Sequence, residues 1–151
     1  MTAIHRMVEA CRAGSHAPLI ARMSSGWAVM GDQQILAGYC VLLADPPVAH
    51  LNALALPDRN QFLSDMGHLG AAVLHATAAV RINYAIFGNL EPALHAHVHP
   101  RYADEPEPQR LSNPWSYDWS AGPRFDPTLH APLLAKIREQ LLAGPFGRAA
   151  V

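Results

Sequence analysis

The chain has 151 residues, half of them hydrophobic and 15% charged, with a formal net charge of -1. That length supports one domain with a substantial core, and that composition excludes a disordered chain. A net charge near zero gives no basis for electrostatic capture of nucleic acid or of an anionic membrane, whereas a small phosphorylated ligand needs only a local cluster of donors.

From Met1 to about Gly14, Met7, Val8 and Cys11 recur at helical spacing, and Gly14 is placed to end the helix. Residues 19–23 and 26–30 read as a strand pair turning at Ser24-Ser25, and residues 31–34 as the next turn. Residues 40–43 are almost wholly apolar and predict a buried strand, which Asp45-Pro46-Pro47 stops. Val48 to Leu56 is compatible with one or two helical turns. Asp58 is a candidate N-cap for the longest helix, about 59–79, with an apolar stripe of Phe62, Leu63, Met66, Leu69, Gly70, Val73 and Leu74. His68 and His75 on that helix read as ordinary helix-face residues. Residues 82–87 predict a strand that ends at Gly88-Asn89.

The next strand is the most informative part of the chain. Of nine histidines, three lie within the five residues His95, Ala96, His97, Val98 and His99. Side chains in a strand alternate between faces, so the three imidazoles share one face, while Ala96 and Val98 point to a core on the other. This strand should pair antiparallel with 82–87 across the short Gly-Asn connection. Residues 103–127 are proline-rich and irregular, and Trp115, Tyr117 and Trp119 there suit a covering flap or a subunit contact. The C-terminal helix is expected over about 129–142, with Leu133, Leu134, Ile137 and Leu141 on one side and Lys136, Arg138 and Glu139 on the other. Gly144-Pro145 stops it. Cys11 and Cys40 form no disulfide framework, no apolar run approaches the ~20 residues of a membrane span, and residues 1–6 do not read as a signal peptide. A cytoplasmic protein built as one domain over 1–151 is the expectation.

Three imidazoles on a sheet face are chemically versatile. A neutral imidazole attacks phosphorus and splits a displacement into two steps, provided its other nitrogen donates to a carbonyl that fixes the tautomer. Its neighbours donate to phosphate oxygens, and Asn89 is a candidate to hold a nonreacting oxygen. Histidines two apart on a strand also suit zinc, with His50 or Asp104 as candidate fourth ligand. On the residues alone, phosphoryl-type catalysis and metal chelation stand level.

The run from Asn83 to Asn89, followed by Pro92-Ala93-Leu94-His95-Ala96-His97-Val98-His99-Pro100-Arg101-Tyr102, resembles the signature of the histidine triad family of nucleotide hydrolases and transferases. Residues 38–43 resemble that family's Gly-His-x-Leu strand, and the likeness covers about residues 19–102. It implies an α+β fold, an antiparallel sheet of about five strands with the long helix and the C-terminal helix packed on it, commonly as a homodimer. It also implies attack by the middle histidine on the α-phosphate of a nucleotide substrate, a nucleotidyl-histidine intermediate, and transfer to water or another acceptor. No bound cofactor or resident metal is implied; a divalent metal arriving with the substrate is compatible.

Two registers fit. Aligning Pro100-Arg101-Tyr102 puts the triad on Ala93, His95 and His97, with His95 the nucleophile, His97 and Asn89 on phosphate oxygens, and His99 an additional donor. Aligning the histidines as they stand makes His97 the middle one. The first keeps Gly88-Asn89, Pro92, Leu94 and Pro100 in place without a gap and is preferred. Tyr39 and Pro47 then stand where the family often carries histidines, and its N-terminal zinc-binding cysteine pair is reduced to Cys11. A catalytically weak nucleotide-binding protein on the same scaffold, and a metal-binding protein using the three histidines, are the alternative functions.

Overall fold

A computed structural model describes residues 1–146. The elements in chain order are α1 (Ala3–Arg12), β1 (Leu19–Arg22), β2 (Gly26–Met30), β3 (Cys40–Ala44), α2 (Leu56–Ala76), β4 (Arg81–Ala85), β5 (His95–Arg101) and α3 (Ala131–Ala143). The five strands form one antiparallel sheet in the order β1-β2-β3-β5-β4. This is the expected α+β architecture, with the histidine strand one in from the β4 edge.

Alternation along the strands divides the interior in two. Ala28, Met30, Cys40, Leu42, Ala96 and Val98 face α2 and α3 and form the main core with Phe62, Leu69, Val73, Ile137 and Leu141. Val29, Val41, Leu43 and Tyr39 face the opposite way and bury Ile4, Val8 and Cys11 of α1. The imidazoles share this second face, which α1 covers only in part. Burying two sheet faces gives β3 its uninterrupted apolar sequence.

Boundaries depart from expectation where local chemistry intervenes. Thr2 caps α1 through its hydroxyl, and Gly14, at φ 69°, lies just beyond the helix as foreseen. The long helix starts earlier than expected. Ala55, not Asp58, is its N-cap, because Pro57 is suited to the first turn, where no intrahelical N–H is required, and Asp58 falls inside that turn. It ends at Ala76 rather than Ala79, since the Thr77 hydroxyl donates to the Val73 carbonyl (2.8 Å) and the chain becomes extended. Its buried stripe is Phe62, Asp65, Leu69, Gly70, Ala72, Val73 and Ala76, whereas Leu63 and Leu74 are exposed. Residues 48–56 hold one 3-10 turn, Leu51–Ala53. β4 stops at Ala85, leaving Phe87 exposed. The C-terminal helix begins at Ala131, and Arg138 donates to the Ile20 and Leu19 carbonyls (2.6 and 2.8 Å), tying α3 to β1. Among the described residues, no helix is long and apolar enough to cross a membrane.

Candidate active site

β5 pairs with β3 and β4, and this double pairing fixes the histidine row. His95 lies opposite Leu43, His97 lies between Val41 and Ala85, and His99 lies opposite Asn83. The ring centroids are 4.9 Å apart for His95 and His97, and 5.8 Å for His97 and His99. All three line a cavity of about 330 Å3 with Tyr39, Trp115, Trp119, Asp32, Gln33 and Glu91. α1 contributes Ala3, Ile4 and Met7 to its apolar wall.

The three environments differ. His95 Nδ1 lies 2.7 Å from the Ala93 carbonyl oxygen, two residues back on the same chain. A carbonyl only accepts, so Nδ1 carries the proton and Nε2 keeps its lone pair. His97 Nδ1 lies 2.6 Å from the Tyr39 hydroxyl. Burial, then the charge of His95, pushes the His97 pKa down to about 4. His99 is 1% exposed, and neither of its ring nitrogens has a hydrogen-bond partner. Burial, followed by His97 and Arg101, lowers its pKa to about 3. Burial also pushes the Tyr39 hydroxyl well above the usual phenol range, so it stays protonated.

The aromatic flap closes over the row. Tyr39 stacks on His99 at 4.3 Å and 3°. Trp115 stands edge-on to His97 and His99, with centroids 5.2 and 5.0 Å away, and Trp119 lies 5.3 Å from His99. Arg101, at the end of β5, anchors the segment that carries these tryptophans. It forms a buried pair with Glu105 (3.0 Å) and donates to Asn83 Oδ1 and the Ser112 carbonyl (2.7 Å each) and to the Gln109 carbonyl (2.8 Å). Tyr117 donates to Glu105 at 2.8 Å. Of the two roles foreseen for the Trp-Tyr-Trp segment, this arrangement is the flap.

Three predicted site residues, His95, His97 and His99, come together. Asn89 does not join them: it is exposed in the connection before β5 and lines neither this cavity nor the larger one beside it. Sequence reasoning missed the Tyr39–His97 contact, the Ala93 carbonyl and the two carboxylates on the wall. Only Tyr39 left a signal, as a departure at the Gly38-Tyr39 position. Of the candidate fourth metal ligands, His50 and Asp104 are exposed, and among the described residues no group of three His, Cys, Asp or Glu converges as metal ligands. The second cavity, about 1160 Å3, runs along β4 and meets the row only at His99 and Trp115.

No family model matches the sequence, and no curated protein matches it. Solved structures do. A histidine triad protein from Marinobacter aquaeolei superposes with a TM-score of 0.72 at 16% identity, over 93% of this chain and 96% of that one. The chain has the histidine triad fold. A histidine triad protein from Sinorhizobium meliloti gives a TM-score of 0.70 at 19% identity, covering 81% and 87% of the two chains. A hypothetical histidine triad nucleotide-binding protein from Sulfolobus tokodaii gives 0.71 at 10% identity, covering 90% and 91%.

Proposed function

We propose that this chain is a histidine triad hydrolase or transferase that acts on a nucleoside phosphate, phosphoramidate or dinucleoside polyphosphate, with His95 as the nucleophile. The observation that carries the reading is the 2.7 Å contact between His95 Nδ1 and the Ala93 carbonyl. It favours the register in which Ala93 takes the first triad position. There the backbone oxygen at residue 93 supplies what a nucleophilic imidazole needs, and no side chain at that position is required. The nucleotide-binding designation of the Sulfolobus neighbour supports the substrate class.

In the first step the His95 Nε2 lone pair forms a bond to the α-phosphorus. The bond from phosphorus to the leaving group breaks, and its electron pair departs with the leaving group, which takes a proton from solvent. Water or another acceptor then forms the new bond to phosphorus, the P–N bond to His95 breaks, and the acceptor's proton is released. His97 stabilises the charge that builds on the phosphate oxygens. With the Tyr39 hydroxyl donating to His97 Nδ1, the remaining His97 proton sits on Nε2 as the donor. Neutral at physiological pH, His97 gives a directional hydrogen bond without adding a charge.

β4 is an edge strand that carries exposed Tyr84 and is flanked by exposed Val80 and Phe87, which suits pairing with a second copy into a homodimer. Light scattering of wild-type protein and of a Tyr84→Lys variant tests that.

The deciding experiment is turnover of adenosine phosphoramidate and diadenosine polyphosphates, with and without Mg2+, by wild type, His95→Ala and His97→Ala, with mass-spectrometric mapping of the trapped adduct. The reading expects an adduct on His95 and loss of at least about a thousandfold in His95→Ala. An adduct on His97 reverses the register. Saturable nucleotide binding with no turnover by wild type replaces the enzyme with a binding protein.

A further inference from the structure

The segment over the histidine row is fastened at its two ends and not in its middle. Arg101 clamps the first end through Glu105 (3.0 Å) and the Gln109 and Ser112 carbonyls (2.8 and 2.7 Å). The second end is stitched to the turn after β2. There the Gln34 amide donates to the Pro123 carbonyl (2.7 Å) and the Phe125 amide to the Asp32 carbonyl (2.8 Å). Gly122 packs so closely on Ile35 that a β-carbon at that position would meet it at 2.8 Å. Residues 113–121 run between these clamps. Among the described residues, their hydrogen bonds close within the stretch or on adjoining Gly122, apart from Tyr117 to Glu105 of the first clamp. Asn113 caps the turn that carries Trp115 (2.9 Å), and the Trp119 indole donates to the Pro114 carbonyl (2.8 Å), so the stretch holds its own shape.

The stretch meets the sheet through aromatic rings. Trp115 and Trp119 lie 5.0 and 5.3 Å from His99, contacts that supply dispersion but no directional tie. Closing them over His99 leaves both of its ring nitrogens buried without a partner, and access of water would restore those hydrogen bonds. Trp115 is already 43% exposed, so withdrawing it uncovers little further surface. Aromatic packing that holds the stretch down is thus opposed by two unsatisfied nitrogens beneath it, which brings an open state within thermal reach. Space argues the same way. The row's cavity of about 330 Å3 stands at the lower bound of small-molecule pockets, about 300–1,000 Å3, and a nucleotide with its leaving group needs more. The cavity of about 1160 Å3 along β4 shares with it only His99 and Trp115, the two residues that stand between them.

We propose that residues 113–121 are a lid that gates the histidine row. Closed, it shuts His99 away and confines the row to the smaller cavity. Open, it withdraws Trp115, joins the two cavities and admits substrate. The identity of what enters rests on the function proposed above, whereas the opening is a property of the free protein.

Diethyl pyrocarbonate, which acylates accessible neutral imidazoles, reads the opening without substrate. Peptide mapping of the full chain at pH 7 should find His99 labelled about tenfold to a thousandfold more slowly than His75, which is exposed on α2. Urea below the unfolding transition should leave the His99 rate unchanged, because a short lid exposes little surface. Trp115→Ala and, separately, Tyr117→Phe, which frees the lid from Glu105, should each speed His99 labelling about tenfold and leave His75 unaltered. Failure of His99 to label short of global unfolding, a rate that climbs with urea along the global slope, or no acceleration in either variant overturns the proposal. Turnover gives the second reading. His99→Leu removes the orphaned nitrogens and so favours the closed lid; it should lower kcat/KM about tenfold with kcat less affected, and add nothing in a Trp115→Ala background. An equal loss in both backgrounds makes His99 a direct substrate contact and overturns the gating of entry. Lid opening with no turnover of any nucleotide defeats the proposed function alone. A His95 adduct in a protein whose His99 never labels defeats this inference alone.

Discussion

Replacing His99 with leucine tests whether the buried imidazole is held at a cost in stability. Each of its two unpartnered nitrogens carries a desolvation penalty of about 1–3 kcal/mol, and stacking on Tyr39 returns about 1 kcal/mol. Leucine fills a similar space without either penalty, so His99→Leu should be more stable than wild type at pH 7 by about 1 kcal/mol or more. The pH dependence gives a second reading of the same residue. Its folded pKa is depressed to about 3, below the ordinary 6.5 of the unfolded chain. Below 6.5 the unfolded state therefore binds a proton that the folded state refuses, and stability falls as pH drops from about 7 towards 3. Between pH 7 and pH 5 this one group accounts for about 2 kcal/mol, at about 1.4 kcal/mol per pH unit for one proton. Urea denaturation followed by circular dichroism at both pH values, for wild type and His99→Leu, measures both effects. The variant should lose about that much of the wild-type slope and keep the part due to His97, which is depressed in the same direction. A variant less stable at pH 7, or one with the wild-type slope intact, refutes the reasoning.

Three further outcomes follow from the contacts. Tyr39→Phe removes the hydroxyl from His97 Nδ1, so 15N shifts should change from a single Nε2–H tautomer to a mixture while kcat falls about tenfold to a hundredfold; an unchanged tautomer rules out the positioning role. Arg101→Ala leaves the buried Glu105 carboxylate with neutral donors alone, Tyr117 and the Tyr102 amide, and should cost about 3–5 kcal/mol in thermal unfolding, with faster proteolysis between residues 105 and 113; a cost below about 1 kcal/mol contradicts the anchoring role. Asp65→Ala removes the acceptor for the Ser25 amide (2.8 Å), the Ser25 hydroxyl (2.6 Å) and Gln61 Nε2 (2.8 Å). A loss of about 2–3 kcal/mol in the denaturation midpoint analysis is expected, and a neutral result shows that the β1–β2 turn holds without this cap.

How much of the molecule could be read from its sequence depended on whether one residue's identity carried the information. β5 was legible because both of its faces speak: Ala96 and Val98 enter the core while three imidazoles share the other side. α2 was less so. Asp65 looks polar in the sequence yet is wholly buried because Ser25 and Gln61 satisfy it, and Leu63 and Leu74 look like core yet are exposed. The site shows the same limit more sharply. Tyr39 and His97 are 58 positions apart and meet only because β3 pairs with β5, so the sequence marks Tyr39 merely as a departure from a family pattern. Asn89 reads from the sequence as the end of the strand adjacent to the triad, but β4 stops at Ala85, and Asn89 lies exposed in the connection that follows.

Ala93 carries the consequence furthest. Read as a side chain, alanine at the first triad position subtracts a group from the site. Read as backbone, residue 93 still presents its carbonyl 2.7 Å from His95 Nδ1, and any residue that keeps the backbone course ahead of β5 would do so. An imidazole at 93 therefore adds something other than orientation of the nucleophile. Ala93 is itself buried against α1, so restoring that imidazole requires space as well as a hydrogen-bond partner. Ala93→His should then lower stability by about 1–3 kcal/mol through overpacking while leaving the His95 tautomer unchanged by 15N shift. A changed tautomer would show that the side chain at 93, and not its carbonyl, sets the nucleophile, and the register argument would fail with it.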